Sequence, residues 1–370
     1  MKCILVTGAN GFIGKNLIAH LSSSSDYEVL AATKETDWET LESMLDSCDR
    51  VVHLAGSNRP SDVNDFEKIN HQLLAKMINY MTQKSPKPIF LASSTQAELE
   101  NLYGQSKKLA EEKLGRYGKS CNVDNLSLRL PNVFGKWSRP NYNSVVATFC
   151  HQTILNQPLQ ISDESYELSL LYIDDLIRII MQWVDEKDTI TAVEDLAHSC
   201  TLGDLAKNIS RFAEIRGTEN LPEVHNDLIR KLYSTYVSFL SAEDFVLEMK
   251  GHTDRRGSFF EFARFGKQGQ VSFFTAEVGQ TRGEHFHHTK VERFVVLSGK
   301  AKFSYRNLAT QEHAEFLIQD TKQQIIESIP GWVHKIENIG NTVLVILVWS
   351  NELFDEDNSD TYPEKVHHEP

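Results

Sequence analysis

Two groups of residues in this chain have the types and spacing that chemistry requires. In the last third, His285 and His287 alternate, Glu292 follows, and His334 closes the run Pro330-Gly331-Trp332-Val333-His334. On a strand, residues two apart project to the same face, and a turn can bring Glu292 back to them. Two imidazoles, a carboxylate and a third imidazole form a donor set for one divalent ion: Zn²⁺, Fe²⁺, Mn²⁺ or Ni²⁺. In the first third, Tyr103 and Lys107 are one helical turn apart, which sets an ammonium near a phenol. A neighbouring positive charge favours the ionised phenol and makes tyrosine a usable acid–base near neutral pH. Phe90-Leu91-Ala92 runs into Ser93 and Ser94. One of these hydroxyls could hydrogen-bond a reacting carbonyl oxygen, or simply cap a turn.

A third pattern would hold a phosphate. Gly8, Gly11 and Gly14 follow the apolar run KCILV and lead into a helical segment. Gly8 permits the tight turn, Gly11 lets the backbone approach a pyrophosphate, and Gly14 lets helix pack on strand. The N–H groups of the helix start then face the anion.

These residues need elements to position them. KCILVTG, YEVLAAT, RVVHLAG, KPIFLASS and LSLRLPN read as buried parallel strands with amphipathic helices between them. That alternation predicts a Rossmann-type, doubly wound α/β parallel sheet, which we assign to residues 1–243, with a helix over 223–240 near its end. From residue 244 to 370, SFFEFARF, QVSFFTAEV, RFVVLSG, AKFSYRN, QQIIESI and TVLVILVW predict an all-β barrel or sandwich. Eight of the fourteen histidines fall in this last part, so the change of texture is chemical as well. The tail after Asn351 is acidic and is expected to be ordered by docking.

Bulk properties narrow the function classes. The chain has 370 residues, 41% hydrophobic and 24% charged, the balance of a globular protein with room for two cores. A net charge of −13 argues against nucleic-acid or anionic-membrane partners. The longest strongly apolar run, Val343–Trp349, is far short of a membrane span, and the apolar start is too short for a signal peptide. Five scattered cysteines without a CxxC pair fit a reduced, cytoplasmic setting.

In the order TGANGFIG, VVHLAG, LASS, YGQSK, LRLPNVFG and LYIDD, residues 1–180 resemble the extended short-chain dehydrogenase/reductase family. The resemblance implies that Tyr103 is the proton donor and acceptor, Lys107 its partner and Ser94 the carbonyl-orienting residue. It implies a nicotinamide cofactor held by Gly8, Gly11, Phe12, Ile13 and Gly14, by Leu54, Ala55 and Gly56, and by Tyr103 and Lys107. Pro131 and Asn132 would border the nicotinamide ring. The stretch from Ser94 to Tyr103 is shorter than the family usually shows. At the end of the second strand, where NAD-preferring members carry an acid, this chain has Ala31-Ala32-Thr33-Lys34. Thr33 and Lys34 therefore point to the phosphate of NADPH. Ser94 is followed by Thr95-Gln96 and not by the Asp-Glu of the dehydratases, which favours simple reduction.

Gly279, His285, His287, Glu292 and Gly299 match the cupin signature position for position, so the resemblance implies a jelly-roll barrel with His285, His287, Glu292 and His334 as metal ligands. Asp254-Arg255-Arg256-Gly257-Ser258-Phe259-Phe260-Glu261 and Arg282-Gly283-Glu284-His285-Phe286 are similar to the dTDP-4-dehydrorhamnose 3,5-epimerase group. There the histidine aligned with His285 is the general base, a role in conflict with ligation. By domain order the whole chain resembles bifunctional enzymes of capsular polysaccharide synthesis. That implies C3 epimerisation of a UDP-2-acetamido-2,6-dideoxy-4-keto-hexose, its reduction with NADPH to UDP-N-acetyl-6-deoxy-L-talose, zinc as the metal, and a homodimer. The alternative is one sugar-nucleotide reductase or epimerase activity, with the β half a dimerisation or ligand-sensing module. Lys136 and Arg139, with Arg59 and Arg230 as weaker candidates, could meet a substrate diphosphate. His288, His313, His367 and His368 read as surface residues.

Overall fold

The computed structural model describes residues 1–57, 68–355 and 359–367. It divides into two compact units, Met1–Arg211 with Asp227–Leu240, and Phe212–Asn226 with Ser241–Pro370.

The first unit is built on five parallel strands, β1 (Lys2–Thr7), β2 (Tyr27–Ala32), β3 (Arg50–His53), β4 (Ile89–Ser94) and β5 (Leu126–Leu130), in the order β2-β1-β3-β4-β5. Their near-continuous apolar runs follow from burial on both faces. Ile4 and Val6 face one side, where the helices Phe12–Leu21 and Ile173–Val184 supply Leu17, Ile177, Ile180 and Trp183. Leu5 faces the other, against Leu41, Leu45, Leu74, Met77 and Leu114. The sheet is doubly wound, as its sequence pattern predicts. The run LSLRLPN does not stay in one sheet. After Pro131 the chain enters β6 (Asn132–Phe134), which joins β7 (Glu167–Tyr172) and β8 (His198–Thr201) in a separate three-stranded sheet. The helix expected over 223–240 covers Asp227–Val237.

The second unit holds two antiparallel sheets. One has the order β16-β13-β18-β11-β10-β9, formed by β9 (Gly251–Asp254), β10 (Gly257–Arg264), β11 (Gln270–Ala276), β13 (Glu292–Ser298), β16 (Ile325–Ser328) and β18 (Leu344–Ser350). The other has the order β15-β14-β17-β12-β19, formed by β12 (Thr281–Phe286), β14 (Lys300–Asn307), β15 (His313–Gln319), β17 (Trp332–Asn338) and β19 (Tyr362–Pro363). Leu344, Ile346 and Val348 alternate inward along β18, and Phe274, Phe294, Val296, Phe303 and Ile336 complete the core. The strand period of two thus does in this half what the doubly apolar runs do in the first. Among the described residues no helix is long and apolar enough to cross a membrane.

Candidate active sites

Strand β4 carries both serines to its carboxyl end, and the pleat sends them to different partners. Ser93 is buried and donates to Glu111, a carboxylate that also pairs with Arg129 at 2.8 Å. Ser94 caps the short turn Thr95–Glu98, accepting from the Gln96 N–H at 3.2 Å, and its hydroxyl lies beside the phenol of Tyr103. Of the two hydroxyls, it is Ser94 that meets the tyrosine.

Tyr103 opens the helix Leu102–Cys121, which is capped by Asn101 accepting from the Gly104 N–H at 2.7 Å. A Cβ on Gly104 would lie 2.1 Å from the Gln96 carbonyl oxygen. Glycine at this position is what lets the helix close onto the turn, and so what the short Ser94–Tyr103 connection requires. Lys107, one turn along, is 7% exposed and donates to the Ala92 carbonyl at 2.9 Å, with its Nζ 5.9 Å from the Tyr103 ring centroid. Burial lowers its pKa to about 8. Burial also raises the phenol of Tyr103, and the neighbouring Ser94 hydroxyl opposes that rise. Desolvation therefore sets the direction at the phenol, opposite to the lowering expected from a neighbouring lysine charge.

Asn70 completes this corner and has no signature in the sequence. It is buried in the π-helical turn Lys68–Gln72, where its side chain accepts from the Ser57 N–H at 2.8 Å and donates to the Ser57 carbonyl at 2.9 Å and Ser106 Oγ at 3.1 Å. A Cβ on Gly56 would lie 3.0 Å from Asn70 Oδ1 and 3.2 Å from Lys107 Nζ. A π turn breaks the 3.6 periodicity by which helical side chains are assigned to a face.

The glycine segment has the form of a phosphate cradle. Gly8 takes φ +71°, and a Cβ on it would be 2.7 Å from the Ala55 nitrogen. A Cβ on Gly14 would be 2.4 Å from the Gly8 carbonyl oxygen, so the helix start packs directly on the turn. The helix Phe12–Leu21 has no side-chain cap at Gly11, which leaves its first N–H groups for an anion. These features fit a dinucleotide. Thr33 Oγ1 donates to Glu35 at 2.7 Å, and the exposed Lys34 lies 3.6 Å from the same carboxylate. Pro131 joins β5 to β6, and Asn132 donates to the Ser169 carbonyl at 3.2 Å. Of the candidate diphosphate cations, Lys136 is ion-paired with Asp174 at 2.5 Å, Arg139 stacks over Tyr142 at 5.3 Å, and Arg230 is bound to Asp227. Arg59 and His368 lie outside the described residues.

In the second unit, strand pairing gathers the four expected donors. His285 on β12 lies opposite His334 on β17, next to a bulge in which Gly283 and Glu284 take φ +89° and +65°. One potential ligand atom from each of His285, His287, Glu292 and His334 can be chosen so that all lie within 4.8 Å of one another. Glu292 Oε2 is 3.2 Å from His287 Nε2 and 3.5 Å from His334 Nε2. The far nitrogens are engaged as well: Nδ1 of His287 meets the Asp360 carbonyl, and Nδ1 of His334 meets Ser328 Oγ at 2.9 Å. Partners of this kind fix ring orientation in metal sites.

The charge states suit a cation. Burial lowers His285 to about 4 and His334 to about 3, which keeps both imidazoles neutral. Burial alone would raise Glu292, but its contact with His287 and the charge of Lys290 bring it to about 2. Neutral imidazoles around an ionised carboxylate fit a divalent ion. His288, His313 and His367 lie on the surface, as expected.

Residues 4–196 match the model of the NAD dependent epimerase/dehydratase family, and residues 252–362 match the polysaccharide biosynthesis C-terminal domain. The chain belongs to the NAD dependent epimerase/dehydratase family. It is 42% identical, over 97% of either chain, to the UDP-2-acetamido-2,6-beta-L-arabino-hexul-4-ose reductase of Pseudomonas aeruginosa. Its structure is similar to that of the capsular polysaccharide assembling protein CapF from Staphylococcus aureus, with TM-score 0.90 and 37% identity over 98% of this chain and 100% of that one. A UDP-glucuronic acid 4-epimerase from Bacillus cereus, 21% identical with TM-score 0.51 over 57% of this chain and 84% of its own, shares the fold of the first part.

Proposed function

We propose that this family member is a bifunctional sugar-nucleotide enzyme of capsular polysaccharide synthesis. In this reading the second unit, a cupin, epimerises C3 of a UDP-2-acetamido-2,6-dideoxy-4-keto-hexose. The first unit then reduces the C4 ketone with NADPH to UDP-N-acetyl-6-deoxy-L-talose. The observation that carries the reductase half is the Tyr103 phenol beside Ser94 with the buried Lys107 Nζ 5.9 Å from its ring.

The chemistry links the halves. A carbonyl at C4 acidifies the C3 hydrogen, so removing that proton and returning one to the opposite face inverts C3. At the reductase site a bound nicotinamide would supply the hydride for C4. Ser94 orients the ketone oxygen, Tyr103 delivers its phenolic proton to that oxygen, and Lys107 stands behind the phenol. Gly8, Gly11 and the start of the Phe12 helix hold the pyrophosphate, with Thr33 and Lys34 toward the 2′-phosphate. At the second site His285, His287, Glu292 and His334 would hold a divalent metal, zinc in this reading, whose chemistry is to polarise a carbonyl as a Lewis acid.

A second reading of His285 comes from its burial. His287, Glu292 and His334 are buried, with Glu292 against both rings, whereas His285 is half-buried, its ring 4.6 Å from that of His334 and 4.9 Å from that of His287. With three ligands inside, His285 would be free to act as the base at C3.

The test is incubation with a UDP-4-keto-6-deoxy-HexNAc in D₂O, first without and then with NADPH. Deuterium entering C3 before NADPH is added, followed by NADPH consumption, is expected. An absence of exchange at C3 removes the epimerase half, and NADPH consumption unchanged in Tyr103→Phe removes the reductase half. Loss of exchange with full metal content in His285→Ala selects the second reading.

A further inference from the structure

The end of the chain, some seventy residues beyond the alternating histidines, closes around them. Asp360 receives three consecutive backbone N–H groups in its carboxylate: His288 at 2.9 Å, Thr289 at 2.7 Å and Lys290 at 2.9 Å. Thr289 Oγ1 adds a fourth bond at 3.0 Å. The backbone carbonyl of the same residue accepts from Nδ1 of His287, a ring with no solvent exposure. One residue thus holds both the imidazole and the loop that runs from His287 to Glu292.

The residues after Asp360 are docked as firmly. Strand β19 pairs with β12, setting Tyr362 opposite Phe286 and Pro363 opposite His285, and the Glu364 N–H donates to the Glu284 carbonyl at 3.0 Å. The Tyr362 ring stacks on Phe286 at 5.3 Å. Farther along, the buried Arg306 reaches Glu364 and the Lys365 carbonyl, both at 2.7 Å, and the Val366 carbonyl at 3.2 Å. Val366 is fully buried. Strand β12 therefore lies between β17, which carries His334, and the chain end.

We propose that residues 359–367 form a positioning strap for the metal site, in which Asp360 fixes the ring of His287 and the ligand loop 288–290. The inference rests on the reading that the four donors hold a divalent ion. With Nδ1 protonated and pointed at a carbonyl, His287 presents Nε2 to Glu292 in the one tautomer that can ligate. Three N–H groups converging on one carboxylate prevent the loop from carrying Glu292 away from the histidines. Without the strap, ring and loop would have to be ordered when metal arrives, and affinity would fall.

The test is zinc affinity of the full chain, stripped of metal and titrated against a chromogenic chelator, with melting followed in parallel in EDTA. Asp360→Ala keeps the backbone carbonyl that meets His287 but removes the carboxylate that gathers the three loop N–H groups. Ring and loop then lose their common anchor, and zinc should bind about 10-fold more weakly, the low end of the loss for a partner of a ligand histidine. Asp360→Asn retains one acceptor oxygen for the loop N–H groups, so it should fall between alanine and wild type; it also carries the test if the alanine variant does not fold. Tyr362→Ala loosens the strap without touching a ligand and should cost less than Asp360→Ala. Wild-type zinc affinity in Asp360→Ala, even with a lowered melting temperature in EDTA, would overturn the strap and leave the metal reading standing. A wild-type chain that binds no stoichiometric zinc removes the metal reading, and the strap with it.

Discussion

The Ser94 hydroxyl lies beside the Tyr103 phenol, although its neighbour Ser93 donates to Glu111. In the proposed mechanism that divergence makes Ser94 the reacting hydroxyl and Ser93 a structural one. Ser94→Ala should lower kcat for ketone reduction by about 100-fold or more, the range of positioned acid–base and oxyanion groups. Ser93→Ala should leave kcat within a few-fold and instead cost about 1 kcal/mol of stability for the lost bond to Glu111. Steady-state NADPH oxidation and urea melts of the two variants measure both, and the reverse pattern would reassign the role to Ser93.

Reduction should fall with rising pH through the titration of Lys107. Burial brings this lysine to about 8, so the free enzyme keeps its ammonium below that value and loses it above. The kcat/KM profile should therefore break downward near pH 8. The stability contribution runs the opposite way. Between about 8 and the ordinary lysine value, the unfolded chain holds a proton that the native state has released. By linkage, the first unit should then gain stability as pH rises through that window. Both trends should vanish in Lys107→Met.

Gly104→Ala should separate the catalytic helix from its turn. The added methyl would lie 2.1 Å from the Gln96 oxygen and 2.7 Å from that of Leu99, both backbone atoms that cannot rotate away. A cost of about 1–3 kcal/mol is expected from overpacking, together with a kcat loss resembling that of Ser94→Ala. Wild-type melting and turnover in this variant would show that the contact is slack.

Lys34→Glu should reverse the dinucleotide preference. Lys34 follows β2 and is solvent-exposed beside Glu35. Removing the cation and adding a negative charge should raise KM for NADPH by about tenfold, equivalent to ~1.4 kcal/mol, and leave that for NADH nearly unchanged. Equal effects on both cofactors would place Lys34 away from the phosphate.

Much of this protein is legible in its residue order because the determinants are local. Apolar runs closed by glycine specify buried parallel strands, and the glycines after β1 announce the first helix. The alternation of His285 and His287 with Glu292 after a short interval identifies a donor set without any knowledge of the fold. What distance in sequence hides is different in kind. Ser93 and Ser94 are chemically identical, and only the pleat of β4 and the closing of Gly104 on the turn decide which one faces Tyr103. Asn70 sits in a π turn that no periodicity reveals. Asp360 lies in an acidic tail of unremarkable composition, and its three backbone bonds exist only because β19 pairs with β12. The sequence by itself determined the types of group at each site and the elements that carry them, since local propensity and spacing specify those. The tertiary structure decided which groups meet and in what charge state, because contact and burial are set by chain segments far apart in sequence.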